Sequence, residues 1–447
     1  MNPQPPARRS RFPGDFVLAF QRRPVELLRE AARLGDVVAL RGGREPVLLV
    51  VHPDDVRDVL VTHARKFKKG RALENARRFL GEGLLTAEGE LHRRQRRMIQ
   101  PAFHRAQIER YAEAAARGAQ RAARAWSAGA TLDLPPQMMA LTMPIAAETL
   151  FGAQLEGRAG EIGAAMGHIV GSFRLAMVPF SNVIERLPLP AVRRLHAAEA
   201  TLHAVVQQMI DERRASAGHG SDLLGMLLAA PDDEPEAGAP SGMSDKQIHD
   251  EVLTLFVAGH ETTAVWLSWT FIALAKNPAV DERLAAELSA VLGGRPPAYD
   301  DLSRLPYTRA VLLESLRCYP PAWSIGRRCL EDVEIGGYCI EARSIVVVSP
   351  CVTHVDARFW RDPMRFDPNR WLDSEAADSR PKYAFFPFGG GPRTCIGEQF
   401  AWMEAKLVLA ELAQRWRLRL ASDQPIGMSP SVTLRPKGSV LMRVEPR

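Results

Sequence analysis

FPFGGGPRTCIGEQFAWMEAKLVLAEL, residues 386–412, is the stretch of this 447-residue sequence that decides its fold. A glycine loop leads to Cys395, and apolar residues at three- and four-residue spacing predict an amphipathic helix that starts near Gly397. A helix N-terminus carries free N–H groups and partial positive charge, which lower the pKa of a nearby thiol and favour a thiolate that can bind a metal. The glycines at 389–391 let the backbone pass close to a flat partner and free their amides toward the sulfur.

Two further side chains of this loop suit a bound cofactor. Arg393 offers a permanent cation for an anionic group such as a cofactor carboxylate, and Phe388 is placed to pack beside the sulfur and exclude water. Two plainer interpretations stay open at this point, because a lone cysteine at a helix start is often structural and a glycine loop is often only a turn. A phosphate-binding Walker loop is excluded, since no Lys-Ser/Thr pair ends the glycine run.

A second stretch, HDEVLTLFVAGHETTAVWLSWTFIALA at 249–275, is apolar nearly all round and predicts a helix that runs through the interior. Ser244 and Gln247 form a capping-box signature at its start. Its polar insert, 260–263, has a plain interpretation as a kink in which the threonines hydrogen-bond to carbonyls four residues earlier. A zinc-protease HExxH motif is excluded because Ala264 occupies the second histidine position.

The rest of the chain is mostly helical, with two β regions. Residues 36–53 predict two short strands joined by a Gly-Gly turn, and 331–350 predict further strands separated by turns. The acidic stretch 231–242, rich in Pro and Gly, predicts a surface loop. Apolar spacing predicts additional helices over 105–126, 140–152 and 190–213.

Composition excludes several classes of protein. The chain is 46% hydrophobic and 25% charged, as expected for a globular protein with a large core. Its five cysteines contain no CxxC pair, which indicates a reducing compartment and predicts a cytoplasmic protein. A net charge of +6 without a nucleic-acid motif predicts no nucleic-acid partner. No segment has eighteen apolar residues without a charge, so we expect no transmembrane anchor.

Phe388, Gly391, Arg393, Cys395 and Gly397 together match every fixed position of FxxGxRxCxG, the haem-binding signature of the cytochrome P450 family. The chain resembles that family. The resemblance implies haem b as the cofactor, with the Cys395 thiolate as the ligand of the haem iron. It also implies haem contacts from four further loop residues, Phe388, Gly389, Arg393 and Gly397.

The segment AGHETT at 258–263 resembles the oxygen-activation motif of the same family. The resemblance implies that this helix crosses the distal face of the haem at Ala258 and Gly259. It also implies that Gly259 leaves room for dioxygen, that Thr262 hydrogen-bonds to the bound dioxygen, and that Glu261 relays protons from solvent.

Glu314 and Arg317 lie at i,i+3 on one face of a predicted helix. A pair of this kind is usually solvated and contributes about 0.2–0.5 kcal/mol. FDPNRW at 366–371 resembles the family's FxPxRF segment, so the resemblance implies a structural Glu-Arg-Arg network that Arg370 completes. Two positions depart from the commoner Glu and Phe of that segment, Asn369 and Trp371.

His92 and Arg96 are four residues apart and therefore share a helical face. In the resemblance these two residues, together with Arg327 and Arg393, contact the haem propionates. Arg328 adjoins Arg327, which leaves the register of that contact open by one residue. Taken alone, His92 also suits a solvated helical histidine.

Arg93, Arg94 and Arg97 lie on the other faces of the same helix and make a basic patch. Such a run is either a solvated surface or a docking site for an acidic protein. The family's chemistry needs imported electrons, and only about fifty residues follow Cys395, too few for a fused flavin domain. We therefore expect a separate ferredoxin or flavodoxin with its reductase.

The quoted segments occur in the family's order along nearly the whole chain. The resemblance implies a mainly α fold with a smaller β-rich region, in which haem lies between the long oxygen helix and the helix after the cysteine loop. We expect a single domain over 1–447, with a β part at about 30–70 packed against 331–350.

The implied function is a monooxygenase that inserts one oxygen atom from dioxygen into an apolar small molecule, by hydroxylation or epoxidation. A fatty acid, terpenoid, steroid or polyketide would suit an apolar pocket, and the sequence does not choose among them. Two alternatives stay open, a haem-thiolate isomerase, dehydratase or peroxygenase and a non-catalytic haem-binding sensor. By analogy with the family, the pocket walls are 74–86 with Phe173, Met177, Ala258, Trp323 and Val432.

Overall fold

The chain forms two compact units, each built from segments that alternate along the sequence. The computed structural model describes residues 4–8, 15–40, 45–154, 158–176, 187, 189–216, 220, 222–229, 242–373 and 379–447. The first unit takes residues 1–75, 313–395 and 428–435, and the second takes 76–312, 396–427 and 436–447.

Helices make up most of the described chain, as the apolar spacing predicts. In chain order the α-helices are α1 (Asp15–Arg22), α2 (Pro24–Ala32), α3 (Pro53–Arg57), α4 (Arg71–Leu80), α5 (Gly89–Ile99), α6 (Arg105–Ala125), α7 (Leu134–Phe151), α8 (Ala159–Ala176), α9 (Pro190–Ala215), α10 (Leu223–Ala229), α11 (Asp245–Lys276), α12 (Pro278–Leu292), α13 (Pro306–Cys318), α14 (Pro350–Thr353) and α15 (Glu398–Arg415). The strands are β1 (Val37–Ala39), β2 (Val47–Val50), β3 (Phe67–Lys69), β4 (Thr131–Asp133), β5 (Ile325–Cys329), β6 (Val333–Ile335), β7 (Tyr338–Ile340), β8 (Ile345–Val348), β9 (Trp416–Leu420), β10 (Met428–Pro430), β11 (Leu434–Pro436) and β12 (Leu441–Pro446).

A five-stranded sheet in the order β1-β2-β8-β5-β3 runs through the first unit. β1 and β2 pair antiparallel, as the predicted hairpin requires, and β2 continues parallel to β8, so the N-terminal strands pair with the 331–350 region. Successive side chains of a strand point to opposite faces. Val37 and Val50 enter one hydrophobic core, and Val38 and Leu49 enter another. The sheet is therefore buried on both faces.

The second unit is built around α11. The Gln247 N–H donates to the Ser244 hydroxyl at 3.3 Å, and the Ser244 N–H donates to the Gln247 side chain at 2.9 Å, so the predicted capping box forms. Most of α11 is buried. Trp266, one of its largest buried side chains, donates from Nε1 to the Leu312 carbonyl at 3.1 Å. The prediction of an interior helix is confirmed.

The helix after the cysteine loop, α15, packs against α6 and α11. Phe400 meets Tyr111 of α6 with ring centroids 6.0 Å apart, and Trp402 meets Trp266 of α11 edge-on at 5.0 Å. Aromatic pairs with this geometry contribute about 0.5–1.5 kcal/mol beyond the burial of their area. These contacts fix α15 along its buried face.

The predicted helices and strands are confirmed, with one shifted boundary. α7 begins at Leu134 rather than near 140, because Pro135 and Pro136 occupy its first turn. Backbone N–H groups in the first turn of a helix have no carbonyl partner, so proline, which lacks this group, is tolerated there. Residues 231–241 of the predicted acidic loop lie outside the described residues. Within the described part of the chain, no helix combines the length and apolar character needed to cross a membrane.

Candidate active site

Cys395 lies at the end of a tight loop in the first unit. Its N–H donates to the Phe388 carbonyl at 2.9 Å, and the Thr394 N–H donates to the Gly391 carbonyl at 3.0 Å. Gly389 and Gly391 have φ angles of 75° and 65°, in the left-handed region that glycine enters without a Cβ penalty. The side chain of Cys395 is exposed.

Close contacts, as well as the φ angles, require glycine at positions of this loop. A Cβ on Gly391 would collide with the Leu60 carbonyl oxygen, and a Cβ on Gly390 would lie 2.7 Å from the Tyr383 ring. The Gly389 N–H donates to the Phe386 carbonyl at 3.0 Å. The expectation that all three glycine amides face the sulfur is therefore wrong at Gly389, whose amide stabilises the turn instead.

The five cysteines divide clearly by environment. Burial raises the pKa of Cys318, Cys329 and Cys351 to about 12, so these three remain protonated thiols. Cys339 is exposed on β7, after the Gly336-Gly337 turn of a two-stranded sheet, and no helix begins beside it. Of the two exposed cysteines, Cys395 alone lies between a glycine loop and the start of a helix, where its thiolate could hold the iron of a bound haem.

In the second unit, the AGHETT segment of α11 has one open face. Ala258 is exposed and Thr262 is partly exposed, whereas Glu261 and Thr263 are buried. The Thr262 hydroxyl donates to the Ala258 carbonyl at 2.9 Å, which is the i−4 bond of the plain interpretation. A hydroxyl that donates its hydrogen still presents oxygen lone pairs as acceptors. The hydroxyl hydrogen can also rotate away from Ala258, so the bond is compatible with a ligand that accepts from Thr262.

The opposite face of this segment is packed against α7. A Cβ on Gly259 would lie 3.4 Å from Leu150 Cδ1 and 3.8 Å from Ala146 Cβ. The Thr142 hydroxyl of α7 lies 3.0 Å from the His260 carbonyl, within hydrogen-bond distance. Gly259 thus lies at the contact between two helices, where a Cβ would make ordinary van der Waals contact; the sequence did not predict this neighbour. Its expected role in leaving room for dioxygen stays a prediction.

Glu314, Arg317 and Arg370 come together in the first unit. Arg317 donates from Nε and Nη2 to the two oxygens of Glu314 at 2.9 and 2.8 Å, and Arg370 donates from Nε at 3.1 Å. Trp371 adds a donor from Nε1 at 2.9 Å, which the family's commoner Phe lacks. Glu314 and Arg317 are fully buried. A buried ion pair is stable only when its remaining polar atoms are also satisfied.

His354 extends this network and was missed by sequence reasoning. Its carbonyl accepts a hydrogen bond from Arg317 Nη1 at 2.9 Å, and its Nε2 accepts the Phe386 N–H at 2.9 Å. Burial lowers the pKa of His354 to about 3, so the ring stays neutral and keeps the acceptor that Phe386 needs. His354 therefore joins the Glu-Arg-Arg network to the segment that leads into the cysteine loop. No local pattern around PCVTHVD signals this role.

A cytochrome P450 family model matches residues 4–443, which include both the cysteine loop and the AGHETT helix. The chain belongs to the cytochrome P450 family. Among its relatives, cyclooctatin synthase of Streptomyces melanosporofaciens is 41% identical over 435 residues, 96% of this chain and 93% of that protein. Cyclooctat-9-en-7-ol 5-monooxygenase of the same species is 40% identical, covering 90% and 87% of the two chains. Pentalenene oxygenase of Streptomyces avermitilis is 36% identical, covering 91% and 89%.

This cytochrome P450 is a haem-thiolate monooxygenase that binds haem b and inserts one oxygen atom of dioxygen into an apolar substrate. Two of these relatives are named as a monooxygenase and an oxygenase, which argues against a haem-thiolate isomerase, dehydratase or peroxygenase and against a non-catalytic sensor. The mainly helical fold with small β-sheets is the one that the resemblance implied. The exposed Cys395 and its glycine loop fit this cofactor.

The P450's candidate propionate residues lie on α5, β5 and the cysteine loop. His92 is buried and Arg96 partly exposed on α5, and Arg393 is partly exposed in the loop. On β5, Arg328 donates to Glu74 at 3.1 Å and to Glu45 at 2.9 Å. Because neighbouring side chains of a strand point to opposite faces, this engagement of Arg328 favours Arg327 for the haem contact.

The pocket residues expected by analogy fall in different surroundings. Trp323 is buried in a hydrophobic core of the first unit and donates from Nε1 to the Ser431 carbonyl at 2.9 Å. Val432 is exposed. Met177 lies outside the described residues, and of Phe173 only the backbone, in α8, is described. Of this set, Ala258 lies on the open face of α11.

We predict that Gly391→Ala prevents normal haem binding, because a Cβ there displaces the loop backbone that carries Cys395. Gly438→Ala is the matched control: Gly438 has a φ of 76° but open space around its Cβ position, so only a backbone cost of about 1–2 kcal/mol is expected. The ratio of haem to protein absorbance in purified samples checks this. We expect full haem in Gly438→Ala and less than about half in Gly391→Ala, given that the clash is with backbone. Equal haem content in the two variants would contradict the role of the loop.

Proposed function

We propose that this P450 oxidises an apolar cyclic terpenoid, either a hydrocarbon or an alcohol that retains a carbon–carbon double bond. The observation that carries this proposal is the similarity over nearly the whole chain to cyclooctat-9-en-7-ol 5-monooxygenase and pentalenene oxygenase. The alignments cover 90% and 91% of this chain. The similarity favours a terpenoid over the fatty acid, steroid and polyketide that the sequence left open.

The described residues support an apolar ligand. Ala258 presents a methyl group on the open face of α11, one turn before Thr262. Small-molecule pockets are mostly apolar, with a few polar groups that fix orientation. In this P450 the Thr262 hydroxyl would be one of those groups, and the apolar surface beside it would hold a hydrocarbon skeleton by burial.

Haem b, when bound, supplies the chemistry by which one oxygen atom enters the substrate and the other leaves as water, with two electrons and two protons consumed. We propose that Cys395 holds the cofactor through its thiolate and that Arg96, Arg327 and Arg393 pair with its carboxylates. The Thr262 hydroxyl would turn its hydrogen from the Ala258 carbonyl to donate at the dioxygen site, and protons from solvent would arrive through Glu261. Cys395 is exposed, and Arg96, Thr262, Arg327 and Arg393 are partly exposed, which supports contact with a ligand.

We also propose a separate ferredoxin or flavodoxin, with its reductase, as the electron donor, docking at the patch on α5. Arg93 and Arg97 are exposed, while Arg94 donates to the Gly242 carbonyl at 2.8 Å and is less available. Arg93 forms an ion pair with Glu90 on the same helix. Exposed cations of this kind attract an acidic partner by long-range steering.

Two further expectations remain proposals. A single domain over residues 1–447 is supported by one family model that continues from 4 to 443 through segments of both units. The cytoplasmic location expected from the cysteine usage stays a prediction.

Substrate class is tested by adding compounds to the ferric enzyme and following the shift of the Soret band as water is displaced from the iron. We expect pentalenene and cyclooctat-9-en-7-ol to bind at least about tenfold more tightly than lauric acid or testosterone, which is a difference of about 1.4 kcal/mol. Tighter binding of lauric acid or testosterone than of both terpenoids would remove the terpenoid proposal while leaving the monooxygenase activity untouched.

Thr262→Ala should retain haem and substrate binding but lower the fraction of electrons used for product by at least about tenfold, with peroxide formed instead. A positioned proton-transfer group typically contributes about 10²–10⁴-fold to a rate, so a tenfold loss is a conservative threshold. Thr270→Ala is the matched control, because Thr270 is on the same helix and makes the same i−4 bond, to the Trp266 carbonyl at 2.8 Å, but is fully buried. The measurement is the amount of product formed per electron consumed, together with the amount of peroxide released, in both variants. Equal coupling in both variants would remove Thr262 from the proton path.

Arg97→Glu should slow reduction of the enzyme by an acidic ferredoxin by about threefold at low salt, since a charge at the edge of an interface acts mainly on the association rate. Arg124→Glu, at an exposed position of α6, changes the net charge equally and is the control. A reduction rate that depends neither on Arg97 nor on salt would contradict docking at α5.

A further inference from the structure

The loop 81–87, between α4 and α5, is fixed to the first turns of α11 by hydrogen bonds. The Glu82 N–H donates to a side-chain oxygen of Asp250 at 2.9 Å, and the Leu84 N–H donates to a side-chain oxygen of Glu251 at 2.9 Å. All of these residues belong to the second unit. Two amides of one loop thus have their acceptors on adjacent residues of one helix, which are 168 and 167 residues away in the sequence.

Other polar groups of the 81–87 loop also have defined partners. Gln95 of α5 donates from Nε2 to the Glu82 carbonyl at 2.6 Å, and the Thr86 hydroxyl donates to the Gly81 carbonyl at 2.6 Å. The Gly83 carbonyl accepts the Thr86 N–H at 2.9 Å. Backbone groups that are bonded at this many points hold the loop in one conformation.

Two glycines let the 81–87 loop lie directly on α11. A Cβ on Gly83 would collide with the Thr254 hydroxyl and would lie 2.5 Å from the Asp250 carbonyl oxygen. A Cβ on Gly81 would collide with the Asp250 side chain, and Gly81 has a φ of 65°, in the left-handed region. A side chain at either position would push the loop away from the helix.

The part of α11 under this loop continues into the open face of the AGHETT segment. Thr254 lies one turn before Ala258, and Ala258 lies one turn before Thr262, so the three residues share a side of the helix. Because Gly83 contacts this side at Thr254, the loop borders the open face. Leu85, two residues after Gly83, is exposed. An exposed leucine on a fixed loop at this border is available to an apolar ligand.

Asp250 carries a negative charge for its contact with the loop. Its two carboxylate oxygens lie 2.5 Å from Lys246 Nζ and 3.9 Å from His249 Nδ1. Burial opposes the ionisation of Asp250, but the contacts with His249 and Lys246 bring its pKa below the ordinary aspartate range. An ionised carboxylate accepts a shorter and stronger hydrogen bond from a backbone N–H than a neutral group does.

His249 also joins this region of α11 to α9 and α4. Its ring stacks on that of His203 of α9, with centroids 5.0 Å apart and an interplanar angle of 8°. His203 in turn meets Phe79 of α4 edge-on at 5.8 Å. Phe79 lies two residues before Gly81, so the α4 end of the 81–87 loop is held as well.

We propose that Asp250 and Glu251 are positioning residues for ligand selection: they hold the 81–87 loop on α11 and so fix how closely Leu85 borders the open face at Ala258. Both side chains act through the loop and not by touching the substrate. A ligand large enough to reach the loop gains apolar contact with it, whereas a small ligand does not. This inference rests on the monooxygenase activity and not on the identity of the substrate.

Amide hydrogen exchange of the haem-loaded enzyme tests the contact without turnover. In Glu251→Leu, which removes the acceptor, the amides of 81–87 should exchange at least about tenfold faster than in the native enzyme. Glu251→Gln keeps an acceptor oxygen and should restore slow exchange. Glu287→Leu is the matched control, because Glu287 accepts the Tyr307 and Thr308 amides at 2.6 and 2.7 Å and so joins α12 to α13 instead.

Two iron ligands of different size, imidazole and 4-phenylimidazole, test the selection itself. The phenyl ring of the second ligand extends from the iron toward the pocket wall. We expect Glu251→Leu and Leu85→Ala to weaken 4-phenylimidazole binding at least about fivefold and imidazole binding by less than about twofold, since only the larger ligand loses apolar contact. Glu251→Gln and Glu287→Leu should bind both ligands like the native enzyme. The shift of the Soret band gives each dissociation constant.

Exchange that is equally slow in Glu251→Leu and in the native enzyme would overturn the contact. Faster exchange with unchanged 4-phenylimidazole binding would overturn the selection role, and so would equal weakening of both ligands. Native-like binding of 4-phenylimidazole to Leu85→Ala would overturn the part given to Leu85.

Asp250→Ala decides by the same two measurements if Glu251→Leu takes up no haem. It removes the acceptor of the Glu82 N–H, and the Lys246 side chain that it leaves behind is exposed and stays solvated. Because neither iron ligand is a terpenoid, failure of the terpenoid proposal would leave these results unaffected.

Discussion

The exposed thiol of Cys395 has to be held at one place by a backbone that is otherwise packed against its surroundings. The loop achieves this with left-handed glycines, one of which leaves no space for a side chain beside the Leu60 carbonyl. A hydrogen bond from the Cys395 N–H to Phe388 closes the loop on itself. Contacts with other parts of the first unit restrict the position of this loop. A displaced Cys395 sulfur could no longer bind a cofactor held at a fixed position.

Polar contacts rather than apolar packing carry much of that restraint. Glu314 collects donors from Arg317, Arg370 and Trp371, and Arg317 also holds backbone carbonyls, that of His354 among them. His354 then accepts the Phe386 N–H. Loss of one partner would leave a buried charge uncompensated, at a cost of about 3–5 kcal/mol. Such a network specifies one arrangement of the segment before the cysteine loop more sharply than hydrophobic burial alone.

In the second unit, α11 is likewise packed on one side and open on the other. The AGHETT segment keeps Ala258 and Thr262 on an open face, while Gly259 and His260 contact α7. One helix thus offers a reactive face and a structural face within a single turn and a half. Thr263 lies on the buried side of α11, and Glu404 is buried on α15.

Much of the fold and the centre of the site could be predicted from local sequence. Helix periodicity, the Ser244 capping box and the β1–β2 hairpin depend on residues close in sequence, and each is confirmed. The FxxGxRxCxG and AGHETT patterns were likewise local, which is why Cys395 and Thr262 could be named.

Contacts between distant segments could not be predicted from local patterns; the contact of Arg370 with Glu314 and the pairing of the N-terminal strands with 331–350 were expected from the family resemblance alone. The role of His354 depends on Phe386, 32 residues away, and Gly259 meets a helix more than a hundred residues earlier. The hydrogen bond that Trp371 adds to Glu314, and the contact of Glu251 with Leu84, are also products of tertiary packing. The sequence contains no periodicity or motif that records such pairs.

The bond between the Cys395 sulfur and the haem iron is tested most directly by the absorbance of the reduced carbon monoxide complex, compared between the native enzyme and Cys395→Ser. The account predicts the red-shifted Soret band of a thiolate-ligated haem in the native enzyme and its complete loss in the variant. A Cys395→Ser protein that kept that band, or a native protein that folded but took up no haem, would contradict it.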